Sequence, residues 1–128
     1  MIKEIILGKT INDFSIMEHG FCSLSLGNGY SISIENLCRY VGQNGEFFSS
    51  QDHGQMFGLA EPYDAEEKIG KAIRGKLIQE VRLSEDTGDL TLVFDRGRFE
   101  IICTSAGYEC YGINGLDDQI IVVRGGNK

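Results

Sequence analysis

Ser49-Ser50-Gln51-Asp52-His53-Gly54 brings hydroxyls, a carboxylate and an imidazole into one short stretch, the residue types from which a nucleophile and its general base are built. Adjacent Asp52 and His53 side chains diverge in extended backbone, however, so the carboxylate cannot orient the imidazole as a catalytic relay requires. The other imidazole, His19, falls in a predicted hairpin turn. Cys22, Cys38, Cys103 and Cys110 are separated by 16, 65 and 7 residues, and no Cys-x-x-Cys or His-x-x-x-His pair nucleates a zinc site. Their spacing predicts reduced, mostly buried thiols rather than a disulfide framework. Glu85-Asp86 and Asp117-Asp118 are paired acids on predicted turns, without a facing cleft that would make them an acid and a base. Gly42-Gln43-Asn44-Gly45 and Gly112-Ile113-Asn114-Gly115 lead into no helix with a following Lys-Ser or Lys-Thr, so both read as turns rather than phosphate loops. The expectation is a protein without catalytic residues, bound metal or cofactor.

Charge is the stronger signal. The net charge is −7, and residues 1–67 hold ten acids against three bases whereas residues 68–128 hold nine of each. Between Tyr40 and Glu67 there is no Lys or Arg, while Glu46, Asp52, Glu61, Asp64, Glu66 and Glu67 are present. Such a surface repels nucleic acid and suits a basic protein partner. Three of these acids, Asp64, Glu66 and Glu67, also fit a helix start, where the macrodipole rewards a carboxylate by about 0.3–1 kcal/mol. Met56-Phe57-Gly58-Leu59 is an apolar clip within this acidic stretch. It reads as core, or alternatively as an exposed anchor at Phe57, with Tyr63 as a second.

The elements that must position these residues follow from a duplication. Gly8-Lys9-Thr10-Ile11-Asn12-Asp13-Phe14-Ser15-Ile16 returns 67 residues on as Gly75-Lys76-Leu77-Ile78-Gln79-Glu80-Val81-Arg82-Leu83, and the repeats span about 7–54 and 74–126. Alternating apolar residues and Gly-containing turns predict three-stranded meanders at 11–17, 21–26 and 30–35, and again at 78–83, 90–94 and 99–103. Further strands are expected at 46–51, 108–113 and 119–124, with 2–7 as an edge strand. Asp64-Ala65-Glu66-Glu67 has capping-box order, and Ile69, Ala72 and Ile73 supply one apolar stripe, predicting a helix over 65–74. The fold class is α+β, mostly β: two repeated antiparallel β-meanders forming a curved sheet or two-layer sandwich, with one helix between them, in a single domain of 128 residues. The longest apolar run is four residues, Ile120 to Val123, too short for a membrane span or signal core, so a cytoplasmic location is expected.

The run Gly75-Lys76 … Val81-Arg82-Leu83 … Thr87-Gly88-Asp89-Leu90-Thr91-Leu92-Val93-Phe94 … Gly97 … Phe99-Glu100-Ile101, with Tyr108-Glu109-Cys110-Tyr111 and closing Gly125-Gly126, resembles a small uncharacterised bacterial domain family met among immunity proteins of toxin systems. The resemblance covers about residues 24–126, with Tyr111 where Trp is usual, and rests mainly on residues that make turns and strands. It implies an immunity protein that neutralises a toxin domain, such as a nuclease, of a contact-dependent growth inhibition system. The contact surface would then be Glu46, Asp52, Glu61, Asp64, Glu66 and Glu67, with Phe57 and Tyr63 as anchors; a monomer is expected. A small-molecule binding domain using a concave sheet, a self-associating structural domain using exposed edges, and an enzyme with polar groups converging around His53 are the alternatives.

Overall fold

Inward apolar and outward polar residues alternate along stretches such as Cys22–Leu26 and Ser31–Ile34, and the computed structural model, which describes residues 1–116 and 119–126, folds ten strands into two antiparallel sheets. The elements in chain order are α1 (Ile2–Ile6), β1 (Ile11–Ile16), β2 (Cys22–Leu26), β3 (Ser31–Ile34), β4 (Leu37–Val41), β5 (Phe47–Ser49), α2 (Ala65–Ile73), β6 (Glu80–Leu83), β7 (Leu90–Val93), β8 (Arg98–Ile102), β9 (Glu109–Asn114) and β10 (Gln119–Arg124). One sheet runs β1-β2-β3-β9-β10 and the other β5-β4-β8-β7-β6. Each repeat contributes its meander to one sheet and sends its last two strands across to the other. The sheets therefore cannot separate without unthreading both halves of the chain.

The period of two explains the layers. Cys22, Leu24 and Leu26 of β2 face inward while Ser23 and Ser25 face outward, and Leu90 and Leu92 of β7 repeat the pattern. One core fills the space between the sheets, marked by Phe14 of β1 meeting Phe99 of β8 edge-to-face at 5.8 Å. The architecture is thus a two-layer sandwich, with α2 packed against β1 and β5 at one side.

The duplication is physical as well as textual. Thr10 and Leu77, which correspond in the two copies, form an antiparallel bridge. Around it the bonds are reciprocal: Ile11 N–H donates to Lys76 O and Ile78 N–H to Lys9 O, both at 2.9 Å, while Gly8 N–H donates to Ile78 O at 3.0 Å and Gly75 N–H to Ile11 O at 2.8 Å. Each bond maps onto its partner under the 67-residue offset, as a local twofold demands. Gly8 (φ +81°) and Gly75 (φ +82°) occupy the left-handed conformation that ends both helices and turns the chain into this crossing.

Several expectations change. Residues 2–7 are not an edge strand: α1 is a helix, because Ile2, Ile5 and Ile6 stand at i, i+3 and i+4, and it corresponds to the last turns of α2. β4 was not anticipated, since Arg39 interrupts its apolar character, yet Cys38 and Tyr40 alternate inward like any other strand. The strand expected at 46–51 contracts to β5 because Ser49 Oγ accepts the Gln51 N–H and opens a 3₁₀ turn over Ser50–Asp52. Gly112, read as part of a turn, lies within β9 opposite Ser33 and Val122. The helix expected over 65–74 ends at Ile73, with Arg74 as its C-cap. The turn expected at Asp117-Asp118 lies outside the described residues. Among the described residues no helix is long and apolar enough to cross a membrane.

Charge closes the second sheet. Glu100 on β8 stands opposite Arg39 on β4 and accepts from Arg39 Nε at 2.6 Å and Arg98 Nε at 3.2 Å. Burial by itself would raise the Glu100 pKa, but the two guanidinium hydrogen bonds outweigh it and hold the carboxyl below its ordinary value. A depressed folded pKa contributes stability that is present above the unfolded value of about 4.3 and disappears as pH falls through the folded one. Glu100→Gln is expected to lower stability at neutral pH by about 1 kcal/mol and to flatten the acid limb of a stability profile from denaturant unfolding. An acid limb identical in the variant would contradict this role.

Candidate functional site

The residues between β5 and α2 form the longest connection in the fold, and their backbone is fixed rather than loose. Gly54 N–H donates to Tyr63 O at 2.8 Å and Tyr63 N–H to Gln55 O at 2.7 Å, pinching the loop at its base. At its tip Leu59 N–H returns to Met56 O at 2.7 Å around Phe57 (φ +46°) and Gly58 (φ +74°). Two consecutive positive φ values define the turn, a conformation natural to Gly or Asn and strained for Phe. The strain is of order 1–2 kcal/mol for a residue with a Cβ.

The clip expected in the core is not there. Phe57 is 62% exposed, Leu59 52% and Met56 48%, because the pinched base lifts the tip away from the sheets. Phe57 touches Tyr63 edge-on at 5.9 Å, and Tyr63 in turn lies beneath Lys68 Nζ, 5.5 Å from its ring centre. Burial first and Asp52 second push the Tyr63 phenol above its ordinary pKa, which places that carboxylate beside the ring. A groove of about 340 Å³ continues from this tip, lined by Leu59, Pro62 and Tyr63 with the acids Asp64 and Glu67 and the cations Lys68 and Lys71.

The acids divide by function. Asp52, Glu61, Asp64 and Glu67 belong to the tip, its base and the adjoining start of α2, and Glu61 is exposed. Asp64 is the N-cap of α2, accepting Glu67 N–H at 3.0 Å, and Glu67 lies 3.8 Å from Lys71. Glu66 departs from the expected contact set: its Oε2 accepts Ile16 N–H at 2.7 Å, bolting the helix onto the open edge of β1. Glu46 sits apart, in the β4–β5 turn, where its carboxylate accepts Asn44 N–H and it lines a separate groove with Tyr40, Phe48, Lys68 and Lys71. Lys68 and Lys71 therefore stand between Glu46 and the loop acids, and the base-free stretch of sequence is bordered in space by two cations. Met56 and Leu59 are the surface residues the sequence reading placed in the core; Gly54, Gly58 and Pro62 around them are the signal that the segment turns outward.

Ser49, Ser50 and His53 of the Ser-Asp-His stretch have structural partners. His53 Nδ1 accepts Ala65 N–H at 3.1 Å and Glu66 N–H at 3.4 Å, so its ring proton is on Nε2. Asp64 Oδ1 approaches the same nitrogen at 3.8 Å, a contact of two acceptors rather than an ion pair. Ser50 Oγ accepts Cys38 N–H at 3.1 Å. Beside them a cleft of about 470 Å³ contains both His19 and His53, without a nucleophile and base in hydrogen-bond contact. Cys22 and Cys38 meet across the two sheets: their mutual hydrogen bond and then burial push the Cys38 thiol up, while the same bond lowers that of Cys22. Burial and then the Cys110 contact likewise raise the Cys103 thiol. Among the described residues no three His, Cys, Asp or Glu side chains converge as metal ligands.

Removing the imidazole tests its role as a second cap. His53→Ala is expected to cost about 1 kcal/mol in denaturant unfolding and to speed hydrogen exchange at the Ala65 and Glu66 amides. Unchanged exchange at those amides would show that the ring does not hold the helix start.

Comparison with protein-family models, with curated proteins and with solved structures returns no match for this chain.

Proposed function

We propose that this protein is a binding protein whose loop 52–67 captures a basic protein partner, and that it acts as an immunity protein that neutralises a toxin domain of a contact-dependent growth inhibition system. The observation that carries this reading is Phe57: an aromatic side chain held at positive φ, largely exposed, at the tip of a pinned loop. Backbone strain and exposed apolar surface both oppose folding, and the edge contact with Tyr63 returns only part of that cost. A partner that buries Phe57, Met56 and Leu59 supplies the rest.

The rim fits the anchor. Asp64 and Glu67 line the groove that runs from Leu59, with Lys68 and Lys71 on it too, Asp52 lies beside Tyr63, and Glu61 has no cation of its own among the described residues. Complementary charge accelerates encounter with a basic surface, such as the phosphate-gripping face of a nuclease, and the desolvated aromatic slows release. Inhibition would then be steric, with no chemical step on this chain.

Three substitutions in two variants separate anchor from fold. Phe57→Asn relieves the left-handed strain, so thermal stability is expected to hold or rise by about 0.5–1 kcal/mol, while affinity for the proposed toxin partner falls by about 2 kcal/mol or more. Reversal of Asp52 and Glu61 to Lys is expected to slow association and to flatten its salt dependence, leaving dissociation nearly unchanged. Growth protection that survives all three substitutions would overturn the proposal.

A further inference from the structure

The fold sorts four scattered cysteines into two pairs, and each pair bridges the two sheets. Cys22 of β2 meets Cys38 of β4, and Cys103, directly after β8, meets Cys110 of β9, each in a thiol–thiol hydrogen bond. All four are free thiols in this structure. The pairs differ in reach: Cys22 and Cys38 are 0% and 1% exposed, whereas Cys103 is half-buried and only its partner Cys110 is fully covered.

The meeting of Cys103 with Cys110 follows from the corner at Glu35-Asn36, where the chain leaves β3 in one sheet for β4 in the other. On one side of it Glu35 N–H donates to Cys110 O at 2.8 Å and extends the β3–β9 ladder. On the other side Leu37 stands opposite Ile102, and Thr104 Oγ1 donates to Asn36 Oδ1 at 2.9 Å. The end of β8 and the start of β9 are therefore drawn to one corner from different sheets. The connection between them is already tied down: Ser105 O accepts Gly125 N–H at 2.7 Å and the Cys110 thiol at 3.8 Å, and Ser105 Oγ accepts Tyr108 N–H at 2.9 Å. Cys103 is backed by packed chain, since a Cβ at Gly88 would lie 3.3 Å from its Sγ, and Gly88 O accepts the buried Tyr111 hydroxyl at 2.9 Å.

We propose that Cys103 and Cys110 are an oxidation site, joined as a disulfide by exchange with a low-molecular-weight disulfide such as glutathione disulfide. The Cys103 thiolate attacks one sulfur of the oxidant, whose S–S bond breaks, and one glutathione leaves and takes up a proton. Cys110 then loses its proton and attacks Cys103 Sγ, the mixed disulfide breaks, and the second glutathione departs as a thiol. Two cysteine S–H bonds are exchanged for one S–S bond, and two electrons pass to the oxidant. Burial first, then Cys110 and Asp89, raise the Cys103 thiol above its ordinary pKa, so oxidation is slow. The same surroundings disfavour the thiolate that reduction would release, which makes the product a lasting staple rather than a rapid sensor. Cys22 and Cys38, with no exposed sulfur, stay reduced in the folded protein. This reading does not rest on the function proposed for loop 52–67.

The test incubates the whole folded protein with glutathione disulfide, alkylates the remaining thiols after denaturation, and maps the peptides by mass spectrometry. A crosslink between Cys103 and Cys110 is expected, with Cys22 and Cys38 recovered as alkylated thiols. The oxidised protein should melt about 5–10 °C above the reduced one and exchange the Tyr108 and Gly125 amides roughly tenfold more slowly. Cys110→Ser leaves Cys103 without a resolving thiol, so this variant should retain glutathione as a mixed disulfide and gain nothing in melting temperature. Four thiols still free after prolonged incubation, a crosslink between any other cysteines, a glutathione adduct that persists on Cys103 in the unaltered protein, or oxidation without a rise in melting temperature would overturn the proposal.

Discussion

The crossing of the two copies at Thr10 and Leu77 is the constraint on which the molecule depends. Four reciprocal backbone bonds lock the entry to both meanders, and from there each repeat must hand its closing strands to the other's sheet. A single repeat would leave β3 or β8 as a naked edge and half a core uncovered. Exchange solves both problems at once, since β9 pairs with β3 and β4 with β8, and the inward faces of the two sheets then share one core. The two pairings between copies, β3 with β9 and β4 with β8, tie the stability of each half to the other.

This division of labour explains where surface chemistry is free to vary. Residues that repeat, such as Gly8 and Gly75 or Ile11 and Ile78, serve the crossing. The long loop before α2 does not repeat, and the candidate surface lies there. In the first copy the loop has room to fold back, pinch at Gly54 and Tyr63, and cap the helix with His53.

The meanders, the helix between them and the class of fold were legible because period-two alternation and Gly turns are local signals. β4 was hidden because Arg39 pairs with Glu100 from a distant strand, a contact that sequence spacing cannot announce. α1 was misread as a strand because five residues carry too little periodicity to separate the two patterns, although the offset to Ile69 and Ile73 held the answer. Among the surface acids, composition alone gave Glu66 the same weight as Glu61. Only tertiary structure distinguishes a carboxylate bolting α2 to β1 from one facing solvent. The apolar clip failed as a core assignment for a related reason: a Phe-Gly turn between Gly54 and Pro62 has the hydrophobicity of a core and the backbone of a protruding tip.

The central functional claim is that the strained, acid-rimmed tip at 56–59 is buried by a basic partner. Hydrogen–deuterium exchange of the protein alone and in complex with its proposed partner, a basic toxin domain, tests this most directly. The account predicts slowed exchange across residues 55–63 and at the first turn of α2, with the reciprocal bonds around Thr10 unchanged. A complex in which those amides exchange as they do in the free protein would contradict it.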